Sequence, residues 1–238
     1  MRFKSIFVTG TDTGVGKTMV AAGIAAGLRQ RGLRVGVYKP AETGCAPEGG
    51  GRSPADAVRL QFFSGCRAGL DTICPYALRE PLAPLVAAER EAVRIDPERL
   101  VACYEGIAWA HDITLIEGAG GLLVPLTSSL TFADLAQRLD VPVLVVVGSR
   151  LGAINHALLT IRYAERNGLC VLGYVVNFFQ AESDQAAQSN VDVLERFLGP
   201  ALGVVPYLGE VSATEDARRQ LAERFETCVR LDALLVPC

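Results

Sequence analysis

The chain has 238 residues, half of them hydrophobic, and a formal net charge of −3. That length and apolar content suit one large α/β domain, residues 1–238, and the charge balance implies no extended basic face, so nucleic acid is not an expected partner. No apolar run is long enough to cross a bilayer and no signal-peptide core opens the chain, so the expectation is a cytoplasmic protein without a membrane partner.

Ser5–Gly10 begins with a short apolar run that reads as a buried strand, and it breaks into a loop holding Gly10, Gly14 and Gly16. Lys17 and Thr18 follow, and a small-residue helical stretch starts at Met19. Strand, glycine loop, Lys-Thr and helix form a phosphate-binding P-loop. Backbone N–H groups converge there and the helix N-terminus adds positive potential. Lys17 is placed to reach the β- and γ-phosphates, and the Thr18 hydroxyl to ligate Mg²⁺. The usual pattern puts glycine at position 11, where this chain has Thr11.

Arg34–Lys39 reads as the second strand, ended by Pro40. Lysine occurs only at positions 4, 17 and 39 in a chain otherwise served by arginine. A compact ammonium differs from a guanidinium in kind, which marks Lys39 as a candidate functional residue. Residues 40–54 are rich in glycine and proline and read as a long substrate-side loop. Asp56 opens a helix over 55–63. Residues 73–78 form a candidate strand, and helices follow to residue 91 and over 97–109.

Ile113–Gly121 is an apolar strand ending in Glu117 and then glycines, the form of an acidic motif that faces Mg²⁺. Val141–Val147 is the most hydrophobic strand and belongs at the centre of the sheet. A helix running to about Asn167 carries His156. A strand over 171–177 then ends in Asn177. A helix over 184–198, a strand over 202–208 and a last helix over 213–225 complete the series. Alternating strands and helices predict a mostly parallel sheet of about seven strands with helices on both faces, a P-loop NTPase fold. The seven cysteines are scattered without C-x-x-C spacing, so neither a disulfide framework nor a zinc site is indicated.

Taken together, Val8–Thr18, Tyr38–Pro40, Glu117–Gly121 with Pro125 and Leu126, Thr131–Asp134, Leu151–His156, Asn177 and Pro206–Leu208 resemble the dethiobiotin synthetases, ATP-dependent cyclo-ligases of biotin biosynthesis. In that family the shifted P-loop glycine is usual. The resemblance implies Mg²⁺ as cofactor, ATP as co-substrate, and ring closure of 7,8-diaminononanoate with CO₂ through a carbamate and a carbamic–phosphoric anhydride. It implies Lys39, Lys17 and Thr13 as catalytic residues. Gly14, Val15, Gly16, Lys17, Thr18, Met19, Asp56, Glu117, Gly118, Ala119 and Gly120 would surround ATP. Asn177, Pro206, Tyr207 and Leu208 would form the adenine pocket. Thr18, Asp56 and Glu117 would hold Mg²⁺. Thr11, Thr43, Gly152 and Asn155 would meet the substrate at a homodimer interface. There the family also uses an aromatic residue from the partner subunit, and residues 186–191 contain none.

Three rivals share the P-loop. A partition or division-site ATPase carries a second lysine early in the loop, where this chain has Asp12. An amidotransferase-type ligase needs a glutaminase domain for which this chain leaves no room. A nucleotide-binding regulator would have no use for Lys39 and Thr43.

Overall fold

The structure, a computed structural model, describes residues 4–48, 51–180 and 185–236. In chain order the elements are β1 (Ser5–Gly10), α1 (Lys17–Gln30), β2 (Val35–Tyr38), β3 (Glu42–Thr43), β4 (Ala46–Glu48), β5 (Gly51–Ser53), α2 (Ala55–Ser64), α3 (Leu70–Ile73), β6 (Ala77–Leu78), α4 (Pro84–Arg90), α5 (Pro97–Ala110), β7 (Ile113–Gly121), β8 (Pro125–Thr127), β9 (Leu130–Thr131), α6 (Phe132–Arg138), β10 (Val143–Gly148), α7 (Ala153–Arg166), β11 (Val171–Asn177), α8 (Gln185–Leu198), β12 (Gly203–Val205) and α9 (Glu215–Cys228).

Six strands form a parallel sheet in the order β12-β11-β10-β1-β7-β2. Every residue of β1, β2 and β10 is buried, which requires helices on both faces of the sheet. β1 lies between β10 and β7, so the loop leaving it opens at the C-terminal edge of the sheet, where ligands of such sheets bind. On α1, Gly23 and Gly27 let α9 approach: a Cβ on Gly23 would stand 2.2 Å from the Phe225 ring.

The sheet has six strands rather than about seven. The candidate strand at 73–78 divides instead. Ile73 ends α3, and Pro75, which has no N–H, separates it from β6. β6 pairs with β3 away from the main sheet.

Of the 40–54 segment, expected as a loop, residues 49 and 50 lie outside the described residues, and the rest contains strands. It holds β3 and the antiparallel hairpin β4–β5. Arg52 fixes the hairpin by donating to the Ala77 carbonyl at 2.7 Å and pairing with Glu91. β7 runs past Glu117 through its glycines to Gly121, with a register shift opposite Val8 and Gly10. The strand predicted over 202–208 is shorter, Gly203–Val205, because Pro206 ends it. Cys45, Cys66, Cys74, Cys103 and Cys228 are free thiols, and Cys170 is disulfide-bonded. No helix among the described residues is long and apolar enough to cross a membrane.

Candidate active site

The P-loop is shaped by two glycines in the left-handed region, Gly14 at φ 75° and Gly16 at φ 86°. Gly10 explains the shifted pattern. A Cβ there would lie 2.8 Å from Val15 and 2.9 Å from the Asp12 carbonyl, so the glycine is needed one residue before the usual place. Thr11 donates its N–H to the Val146 carbonyl at 3.0 Å and has no left-handed φ to accommodate. Asp12 braces the loop, accepting the Thr13 N–H at 2.7 Å and pairing with Arg150 from the β10–α7 loop. Gly16 is the N-cap of α1 and offers no side chain, which leaves the first N–H groups of the helix for a ligand.

Lys17 folds back to donate to the Asp12 carbonyl at 3.0 Å. Burial works against its charge and brings its pKa down to about 8, although Glu117 pulls the other way. The Thr18 hydroxyl donates to Glu117 Oε1 at 2.8 Å. Lys39, 2 % exposed, donates to the same oxygen at 2.6 Å and stands 3.1 Å from Asp56 Oδ2. Burial opposes the Lys39 charge, but Glu117 and Asp56 outweigh it and hold the amine protonated above its ordinary range. Burial likewise opposes the Asp56 charge, and Lys39 with the Thr18 hydroxyl outweighs it, so that carboxyl lies below its ordinary value. Burial pushes the Glu117 carboxyl up against the pull of Lys39.

One oxygen of Glu117, Oε2, is buried without a hydrogen-bond partner. An orphaned carboxylate oxygen near a second carboxylate and a hydroxyl suits a hard cation such as Mg²⁺. Among the described residues no three His, Cys, Asp or Glu side chains converge as a metal cluster.

These groups line a cavity of about 580 Å³ together with Pro81–Pro84 and Val124. A family model described as an AAA domain matches residues 4–215. The chain is 40% identical to the ATP-dependent dethiobiotin synthetase BioD of Thermodesulfovibrio yellowstonii, over 87% of this chain and 90% of that one. It is 41% identical to the synthetase of the same name from Cellvibrio japonicus, over 90% and 93%. The chain belongs to the ATP-dependent dethiobiotin synthetase family. A ParA family ATPase from Chlorobium tepidum superposes with a TM-score of 0.54 over 98% of this chain and all of its own, at 16% identity. That likeness shows the shared fold alone.

The synthetase pattern is only partly gathered in one place. Thr13, Gly14, Gly16, Lys17, Thr18, Lys39, Thr43, Asp56, Glu117, Ala119 and Gly120 all line the cavity. Val15 is buried beneath the loop, and Met19 and Gly118 pack behind the site. Thr11 is bound through its backbone to β10 and does not line the cavity. Asn177 is buried and donates to the Val15 carbonyl at 2.9 Å, supporting the P-loop from β11. Pro206 and Tyr207 are exposed beyond β12, and Leu208 is half-buried. Gly152 and Asn155 lie on an exposed surface at the start of α7, away from the cavity. His156 is exposed on the same helix.

Glu42 escaped the sequence reading. It is 6 % exposed, lines the cavity beside Thr43, and burial raises its pKa to about 7. Its signal was indirect: a helix that starts after Pro54 has no local capping oxygen, so one must come from elsewhere.

Proposed function

We propose that the chain forms dethiobiotin from 7,8-diaminononanoate, CO₂ and ATP. One amine of the substrate adds to CO₂ and loses a proton, giving a carbamate. A carbamate oxygen attacks the γ-phosphorus, and ADP leaves. The second amine attacks the carbonyl carbon of the mixed anhydride. Phosphate departs with the bonding pair, a proton is released, and the ureido ring is closed.

The observation that carries this reading is the ammonium of Lys39, held inside the cavity between Glu117 and Asp56, a few residues before Thr43. Phosphoryl transfer needs position and charge compensation more than a strong base. Lys17, released from the Asp12 carbonyl, and the open N-terminus of α1 bind the phosphates. Lys39 offsets charge that develops on the carbamate and transferring phosphoryl group. Thr18, Asp56 and Glu117 would hold Mg²⁺, which supplies charge to the β- and γ-phosphate oxygens when bound. The substrate's tail carboxylate meets Gly152 and Asn155 at a homodimer interface. In support of that interface, Leu151, Leu159 and Leu123 are 79%, 62% and 52% exposed on this face.

The deciding experiment is phosphate release from Mg-ATP with bicarbonate, with and without 7,8-diaminononanoate, following dethiobiotin by mass. The expected result is phosphate release that requires the diamine and matches dethiobiotin mole for mole. ATP turnover indifferent to the diamine overturns the reading.

A further inference from the structure

α2 begins with Ala55 and Asp56, and its N-cap position is held by Pro54, which has no side-chain oxygen to accept a hydrogen bond. The first-turn N–H groups that a local cap would satisfy are taken instead by Glu42. Its Oε1 accepts the Asp56 N–H at 2.9 Å and its Oε2 the Ala57 N–H at 3.0 Å. Both bonds reach across the 40–54 segment. The same first turn carries the Asp56 carboxylate to Lys39 at 3.1 Å. Glu42 is itself fixed in β3, whose backbone is bound to the segment before β6: the Glu42 N–H donates to the Tyr76 carbonyl at 2.9 Å. Thr43, the next residue, lines the same cavity.

We infer that Glu42 is a positioning residue: acting as a remote cap of α2, it sets the Asp56 carboxylate against Lys39 and so determines how tightly the metal–nucleotide complex is held. The inference rests on the proposed metal role of Asp56 but not on the identity of the substrate. Side chains that orient a carboxylate in this way influence metal affinity although they touch no metal.

The test uses the whole chain with ADP and Mn²⁺ as probe, Mn²⁺ binding being read by electron paramagnetic resonance. Amide hydrogen exchange of the first turn of α2 is read alongside. Glu42→Ala is expected to weaken Mn²⁺ binding about tenfold or more, to leave metal-free ADP affinity unchanged, and to expose the Asp56 and Ala57 amides to exchange. Glu42→Gln, with one accepting oxygen left, is expected to fall between Glu42→Ala and the parent in both readouts. Adding Pro54→Ser to Glu42→Ala supplies a local cap and is expected to recover both protection and Mn²⁺ affinity. Mn²⁺ affinity within twofold of the parent in Glu42→Ala, with the amides exposed, overturns the inference. So does restored protection in the double variant without restored Mn²⁺ affinity. Should Glu42→Ala fail to fold, Glu42→Gln and the double variant decide on the same readouts. Because no arm includes the diamine, failure here is separable from failure of the proposed reaction.

Discussion

Lys39 is a charged side chain with almost no exposure, and it is tolerated because two carboxylates face it. Replacing it by methionine keeps much of the volume and removes the charge. The expected loss in turnover is ~10²–10³, the cost of one preorganised charge at a reacting centre. The same change strands Glu117 and Asp56 together, which destabilises the fold by roughly 3–5 kcal/mol. Turnover of Lys39→Met must therefore be measured at a temperature where circular dichroism shows it folded. Turnover near that of the parent would remove Lys39 from the catalytic set. A second residue-scale prediction concerns Cys66, which lies after α2, and the His111 imidazole after α5. Burial opposes ionisation of the Cys66 thiol, but the His111 imidazole and backbone N–H groups outweigh that and lower its pKa. Burial raises those of Cys45 and Cys74. A lowered thiol pKa means thiolate at lower pH, so iodoacetamide labelling of Cys66, mapped by mass spectrometry, should rise at lower pH than that of the other two. His111→Phe should shift the Cys66 profile upward. A profile unmoved by that change would mean the imidazole does not stabilise the thiolate.

At the scale of elements, α1 shows propensity and packing in opposition. Alanine favours a helix over glycine by about 1 kcal/mol, which argues for Gly23→Ala as a stabilising change. The Cβ would meet the Phe225 ring at 2.2 Å, however, and that ring is wholly buried. Overpacking of this kind costs roughly 1–3 kcal/mol, so urea denaturation should show a net loss of stability for Gly23→Ala. A gain would mean that α9 shifts freely. The same contrast decides what the sequence made legible. The P-loop, Lys39, Glu117 and the central strands follow from local pattern, because glycine spacing and apolar runs determine them. The 73–78 strand, the hairpin inside 40–54 and the role of Glu42 do not. Each depends on a partner distant in the chain: β6 on β3, Arg52 on Glu91, and Glu42 on the first turn of α2. The P-loop departure at Thr11 was visible in the sequence, but its cause, the packing of Val15 and Asp12 over Gly10, required the structure.

At the scale of the whole molecule, the face around α7 carries the remaining weight of the proposal. Leu151, Asn155 and Leu159 are four residues apart and so share one side of the helix and the turn before it. Leu159 and Tyr163 border an apolar groove of about 420 Å³ with Leu122–Pro125 on the other wall. Leu123 and Leu159, both exposed, stand on opposite walls of this groove, and the proposed interface would cover them. In a two-fold dimer each residue of the face is buried twice. Burying one fully exposed leucine contributes about 1.5–3 kcal/mol; Leu159 is 62% exposed, so counted twice it is worth roughly 2–4 kcal/mol, or about 10–10³ in the dimer dissociation constant. Sedimentation should therefore show a dimer for the parent and a monomer at the same concentration for Leu159→Glu. Asn155 lies one turn away, so the monomeric variant should lose diamine affinity while its KM for ATP, set at the distant P-loop, stays as it was. A parent that sediments as a monomer and still turns over the diamine would place the substrate's tail entirely within one chain.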